Sequence, residues 1–176
     1  MQTLTSTEEA RYAELQLLAL DLARDGETAQ LLEMVRRGLP VNLADHKGNS
    51  LLMLAAYHGH VETVRDLLKE GADPDRRNDR GQTPLGGAAF KGYADLVMLL
   101  IEHGADVDAD NGAGMTPIMF AAVFGRTEVI ARLREHGASL QRRNRLGFSA
   151  RAMVTLSGWF RRLLGKRDVR AANYLG

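Results

Sequence analysis

The chain has 176 residues, 45% hydrophobic and 26% charged, with a net charge of +1, the size and balance of one ordinary globular domain. The lack of cysteine excludes disulfides, thiolate metal sites and cysteine nucleophiles. No apolar run approaches the roughly 18 residues that span a bilayer. An amino terminus with Glu8, Glu9 and Glu14 and no basic segment argues against a secretion signal, so the cytoplasm is the expected compartment.

At the start of the chain, Ser6 and Glu9 read as a capping box that opens a helix through Arg24. Leu15, Leu18 and Leu22 form its apolar face toward the next unit. Residues 1–5 are expected to be loose.

Beyond this helix a period takes over. Gly26, Gly59, Gly92, Gly125 and Gly158 are spaced by 33. The series Gly38, Gly71, Gly104, Gly137 and the series Gly48, Gly81, Gly114, Gly147 share that spacing. Three series with one period are the mark of a repeat architecture. The units 48–73, 81–106 and 114–139 align, a weaker one begins at Gly147, and a partial one covers 18–42.

Each unit reads as two short antiparallel helices. Ser50, Thr83, Thr116 and Ser149 suit the first N-cap, and Pro84 and Pro117 suit the first helical position. Gly59, Gly92 and Gly125 break the chain between helices, and Gly71, Gly104 and Gly137 end the second helix. The second helix carries an apolar row such as Val61, Val64, Leu67 and Leu68, and a short polar link follows.

One unit contains a conflict. Gly86 and Gly87 lie mid-helix, and each glycine costs a helix interior about 1 kcal/mol relative to alanine. Packed neighbouring repeats hold such a segment helical. Two readings of the pair stand. The glycines leave room for Met53, Leu54, Met119 and Phe120 of adjacent units, or they form a soft depression that admits a partner side chain.

The last fifth of the chain is basic. Residues 140–176 carry nine Lys and Arg against the single acid Asp168, whereas the first 139 residues carry 14 bases and 21 acids. This end reads as the solvated face of a terminal cap, or as a surface attracting an acidic protein, a nucleic acid or an anionic membrane. Trp159, Leu163 and Leu164 fit an inward-packing helix, and the tail from 168 docks through Val169, Tyr174 and Leu175 or frays.

Chemistry is sparse. His103 and His136 recur at the period and suit helix C-termini. His58 and His60 flank Gly59, but two ligands alone make a weak metal site. No serine sits in a nucleophile elbow, and the glycine-rich stretch around Gly112 and Gly114 falls at a hairpin tip by register, not in a phosphate loop. Neither catalysis nor a cofactor is expected.

The period and the pattern Gly-x-Thr-Pro-Leu, Ala-Ala, Gly, Leu-Leu, Gly-Ala-Asp, fullest in Gly81–Asp106, resemble the ankyrin-repeat family over nearly all of 15–165. The resemblance implies an all-α solenoid of about five helix pairs with projecting hairpins. Its units are an N-terminal cap 8–43, full repeats 44–77, 78–110 and 111–143, a C-terminal capping repeat 144–167 and a tail 168–176. The family places a histidine after Thr-Pro-Leu to tie the hairpin backbone. Met53, Gly86, Met119 and Ala152 stand there instead, which predicts weaker hairpins, partly offset by methionine packing.

The resemblance also implies binding of another protein through a concave face and hairpin tips. The tips are His46, Lys47 and Asn49; Asp79, Arg80 and Gln82; Gly112, Ala113 and Met115; Arg145, Leu146 and Phe148. The helix positions are Tyr57 and His58, Phe90 and Lys91, Val123 and Phe124, and Leu156 and Ser157. The candidate contact residues are Tyr57, His58, Arg80, Phe90, Lys91, Met115, Val123, Phe124, Arg145 and Phe148, with Phe124 and Phe148 either exposed or covered by the last repeat. A monomer is expected, as accessory or immunity partner to a neighbouring enzyme or toxin. The alternatives are a nucleic-acid or anionic-surface binder acting through the basic end, and a haem or small-molecule carrier acting through His58 and His60.

Overall fold

The structure, a computed structural model, describes residues 5–155. Helices α1 (Ser6–Asp25) and α2 (Thr28–Arg36) form the first pair, followed by α3 (Leu51–His58) with α4 (Val61–Lys69), α5 (Pro84–Lys91) with α6 (Ala94–Glu102), and α7 (Pro117–Val123) with α8 (Thr127–Glu135). A further helical segment opens at 150 and runs to 155. Leu156 and Ser157, the helix around Trp159, Leu163 and Leu164, the tail from 168 and most of the basic end lie outside the described residues.

The helices stack in two rows, α1-α3-α5-α7 and α2-α4-α6-α8, each pair closing on itself and on its neighbours. The core between them repeats with the sequence. Ala55, Ala88 and Ala121 let first helices approach closely, and Leu67, Leu100 and Leu133 fill the space beneath. All six are fully buried. The architecture is the all-α solenoid that the period implied.

Local chemistry sets the helix ends. Ser50 Oγ accepts the Met53 N–H at 3.1 Å, Thr83 Oγ1 the Gly86 N–H at 3.1 Å, and Ser149 Oγ the Ala152 N–H at 3.3 Å. His103 Nδ1 donates to the Leu99 carbonyl at 2.8 Å, and His136 Nδ1 to the Arg132 carbonyl at 2.9 Å. Both complete helix C-termini.

Two expectations for α1 are corrected. Its capping box is Thr5 with Glu8, whose carboxylate accepts the Thr5 N–H at 2.8 Å. Thr5-x-x-Glu8 and Ser6-x-x-Glu9 both match the motif, and the earlier frame caps. Leu15 and Leu18 do not pack on the next unit; they are 42% and 47% exposed, whereas Ala19, Leu20, Leu22 and Ala23 are buried. At 1.5 Å per residue, the 20 residues of α1 overhang the 8 of α3, so only its C-terminal half finds a neighbour.

Side chains also tie repeat to repeat at the period. Asn42 accepts the Asp73 N–H at 2.9 Å, Asp75 the Asp106 N–H at 3.0 Å, and Asp108 the Ser139 N–H at 3.1 Å. At the turns between helices, His60 Nε2 donates to the Arg24 carbonyl at 2.6 Å and Arg126 Nε to the Phe90 carbonyl at 3.1 Å. Tyr93 holds the equivalent place against Gly59, 3.1 Å from where a Cβ would stand.

Candidate functional site: the first-helix face and its hairpins

Hairpins join each unit to the next, with antiparallel bridges between Ala44 and Ser50 and between Arg143 and Ser149. A single carboxylate or carboxamide closes each tip. Asp45 Oδ1 accepts the N–H groups of Lys47 and Asn49, both at 2.9 Å. Asn78 Oδ1 accepts those of Arg80 and Gln82 at 3.0 and 2.9 Å. Asn144 Oδ1 accepts those of Leu146 and Phe148 at 3.1 and 2.9 Å. Asparagine and aspartate close such turns because a short side-chain acceptor reaches the backbone two residues on.

Asn111 holds the same register position and behaves differently. Its Oδ1 accepts the Thr83 N–H at 2.7 Å and the Thr83 hydroxyl at 3.0 Å, and its Nδ2 donates to the Ala109 carbonyl at 2.9 Å. Asp110 takes over the third tip, accepting the N–H groups of Gly112 and Gly114 at 2.9 and 3.0 Å. The hairpins are therefore not short of polar ties. Asx side chains and the buried Asn78–Asn49 and Asn78–Gln82 bonds at 2.9 and 2.8 Å supply what the missing histidine would have given, while Met53 and Met119 are buried.

The same exchange explains the paired glycines and corrects both earlier readings. A Cβ at Gly86 would collide with the Asn111 carboxamide, so the space is filled by Asn111, not by methionine or leucine. A Cβ at Gly87 would only touch Tyr57, at an ordinary 3.6 Å. Pro84 through Phe90 are all buried, so no depression opens there for a partner.

An aromatic row runs along the first-helix face, separate from the main core. Tyr57, Phe90 and Phe120 are buried, with Met115 and Phe124 packed against them. Tyr57 and Phe90 lie nearly parallel at 6.4 Å, and Phe124 meets Phe90 edge-on at 4.5 Å, a favoured aromatic geometry. Lys91 Nζ sits 4.2 Å from the centre of the Tyr57 ring, where its charge meets the negative π-face.

Phe90 is 2% exposed, so it forms the floor of this face and not its contact surface; Tyr57 is buried as well. Large rings at neighbouring equivalent positions cover one another, which register alone does not reveal. His58, Arg80, Val123, Arg145 and Phe148 are exposed, and Lys91, Met115 and Phe124 are half-buried. Val123 is 43%, Phe148 44% and Leu146 79% exposed. The structure thus answers the question about Phe124 and Phe148 differently for each, and it adds Phe120, absent from the expected set, to the floor.

Electrostatically the face is one-sided. Helices α3, α5 and α7 carry no carboxylate. Although the residue is exposed, partial desolvation of its ring, then the charges of His60, Lys91 and Arg24, hold the His58 pKa below its ordinary value. His58 and His60 stack at 6.3 Å, but His60 Nε2 is engaged by Arg24. Among the described residues no group of three or more His, Cys, Asp or Glu converges as metal ligands. No helix among them is long and apolar enough to cross a membrane.

Comparison with known proteins agrees with this geometry. The family model described as ankyrin repeats, in three copies, matches residues 52–144. A stretch of 45 residues is 60% identical to an ankyrin repeat protein of Pseudomonas aeruginosa and covers 26% of this chain and 26% of that relative. The match thus spans about a quarter of the relative's length.

Proposed function

The chain belongs to the ankyrin-repeat family, and on that premise we propose that it binds another protein, as a monomer in the cytoplasm, through the first-helix face and hairpin tips. Ankyrin repeats generally serve protein–protein interaction. The observation that carries the reading here is the combination of Met115 and Phe124, packed half-buried on the aromatic cluster, with exposed Val123 and Phe148 and the basic Arg80, Lys91 and Arg145 on the same helices and hairpins. An apolar centre with a basic rim is the make-up of a protein-binding patch. The capping and repeat boundaries given above complete this reading, and a role as accessory or immunity partner of a neighbouring enzyme or toxin is its extension by family analogy.

The experiment is capture from the source cell's lysate by wild type and by a Val123→Glu/Phe148→Glu variant. Both side chains are exposed, so the variant is expected to fold, which far-UV circular dichroism checks. A protein retained by wild type alone supports the reading. Identical retention by both baits overturns it.

A further inference from the structure

Resting on that reading, we propose that the partner presents an extended acidic segment with an apolar anchor side chain. Three independent features of the face point to this chemistry. The first is charge. The carboxylates close to the hairpins are largely consumed by the fold: Asp45 closes its turn and pairs with Arg24 at 3.2 Å, and Asp110 closes another. Asp79 remains exposed.

The second feature is the state of the cations. Several bases of the outer helices pair with acids, as in Arg36–Glu70 at 2.8 Å, Lys69–Asp66 at 2.8 Å and Arg132–Glu135 at 3.7 Å, while Arg76, Arg77 and Arg134 make no ion pair among the described residues. Among the described residues Lys47, Lys91 and Arg145 make no ion pair. Lys91 lies over the Tyr57 ring, and a ring leaves the outer hemisphere of an ammonium open to an incoming carboxylate.

The third feature is shape. The third hairpin tip is Gly112, Ala113 and Gly114, with φ of 94°, 54° and 74°, and its largest side chain is one methyl. Its backbone packs on both neighbouring tips, the Ala113 carbonyl accepting the Arg145 N–H at 2.9 Å and a Cβ at Gly112 standing 2.9 Å from the Arg80 carbonyl, so between the tips that carry Arg80 and Arg145 the row bears no long side chain. Met115 stands at the base of that hairpin and packs with Phe124 on the aromatic cluster. An extended chain crossing there places one apolar side chain against Met115, Val123 and Phe124, and flanking carboxylates toward Lys91 and Arg145. A nucleic acid fits less well. The rings of Tyr57, Phe90 and Phe120 are buried and offer no platform for successive bases.

The test selects random displayed peptides on the immobilised full chain. The best peptide's affinity is then measured by fluorescence anisotropy against wild type, Lys91→Glu, Lys91→Gln and Val123→Glu, with a short single-stranded oligonucleotide as a separate probe. The expected peptides place Asp or Glu beside a large apolar residue. Affinity is expected to fall about tenfold or more for Lys91→Glu and for Val123→Glu, and less for Lys91→Gln. Replacing the facing carboxylate of the peptide by lysine is expected to restore binding to Lys91→Glu alone. Uncharged peptides that need Val123 but ignore both Lys91 substitutions overturn this inference and leave the proposed function standing. Peptides indifferent to Val123→Glu overturn both. An oligonucleotide that binds more tightly than the peptide, and loses affinity with Lys91→Glu, replaces the acidic segment by a nucleic acid and overturns the inference as well.

Discussion

The adjacent glycines of α5 are expected to respond to the same substitution with opposite sign. At Gly87 an alanine Cβ meets only Tyr57, at 3.6 Å, so Gly87→Ala keeps the helix-propensity gain of about 0.5–1 kcal/mol. For a chain of this length that raises the thermal midpoint by about 1–4 °C. At Gly86 the new methyl displaces the Asn111 carboxamide. The Thr83 N–H, buried and bonded to Asn111 Oδ1 at 2.7 Å, then loses its acceptor, a cost of about 1–3 kcal/mol. The propensity gain offsets part of it, and a net loss of about 1–2 kcal/mol, or roughly 2–8 °C, remains. Thermal and urea unfolding followed by circular dichroism would measure both. Because the two sites share one helix, any departure from two-state unfolding affects them alike. The cycle of Gly86→Ala with Asn111→Ala is expected to show a coupling of about 1 kcal/mol or more, since the alanine at 86 costs little once the carboxamide is gone. If both glycine substitutions raise the midpoint alike, or the cycle is additive within about 0.5 kcal/mol, the account of Asn111 is wrong.

Three further outcomes are expected. Asn42 makes with a carboxamide the bond that Asp75 makes with a carboxylate, and burial, with Asp106 and Asp73 nearby, raises the Asp75 pKa; its stabilising share is therefore largest in acid and lost as pH rises. Asp75→Asn should be neutral or stabilising at pH near 7, whereas Asp75→Ala should cost about 1 kcal/mol, and equal losses in urea titrations would refute this. His58 is depressed in the folded chain, so on acidification below about 6.5 the unfolded form takes its proton first and stability falls. His58→Gln should flatten the midpoint-versus-pH curve between about 7 and 5, and parallel curves would dismiss the effect. Thr116 Oγ1 is buried without a hydrogen-bond partner among the described residues, and its backbone is extended. Thr116→Val should raise the thermal midpoint by about 2–4 °C, the equivalent of about 1 kcal/mol, and a drop would mean the hydroxyl is engaged.

The scaffold was legible because its signals are local and repeated. A cap hydroxyl, a proline at the first helical position or a glycine at the left-handed stop each acts within one turn of itself. What escaped depends on pairs far apart in the chain. Asp110 and Asn111 are adjacent, and either can close a turn; which does so is decided by the missing Cβ at Gly86. Phe90 looked like a contact residue by register, but the rings of Tyr57 and Phe124 cover it. Lys91 was expected at the surface, yet nothing in its spacing told that Tyr57 would hold it.

These exchanges join the stability of the scaffold to the shape of the proposed binding face. Gly86 admits Asn111 to cap Thr83. Asn111 is then missing from its own turn, and Asp110 closes that turn with Gly112, Ala113 and Gly114 at positive φ. Only glycine takes that conformation freely, and alanine is the smallest residue that pays a steric penalty there, so the tip stays bare. The exchange at Asn111 thus reaches the tip beside Met115, and the glycine that weakens α5 is the condition for a tip without long side chains. It follows that Gly86→Ala, by pushing Asn111 back toward its own turn, should disturb the third tip as well as the helix, and should weaken the selected peptide even where the chain remains folded.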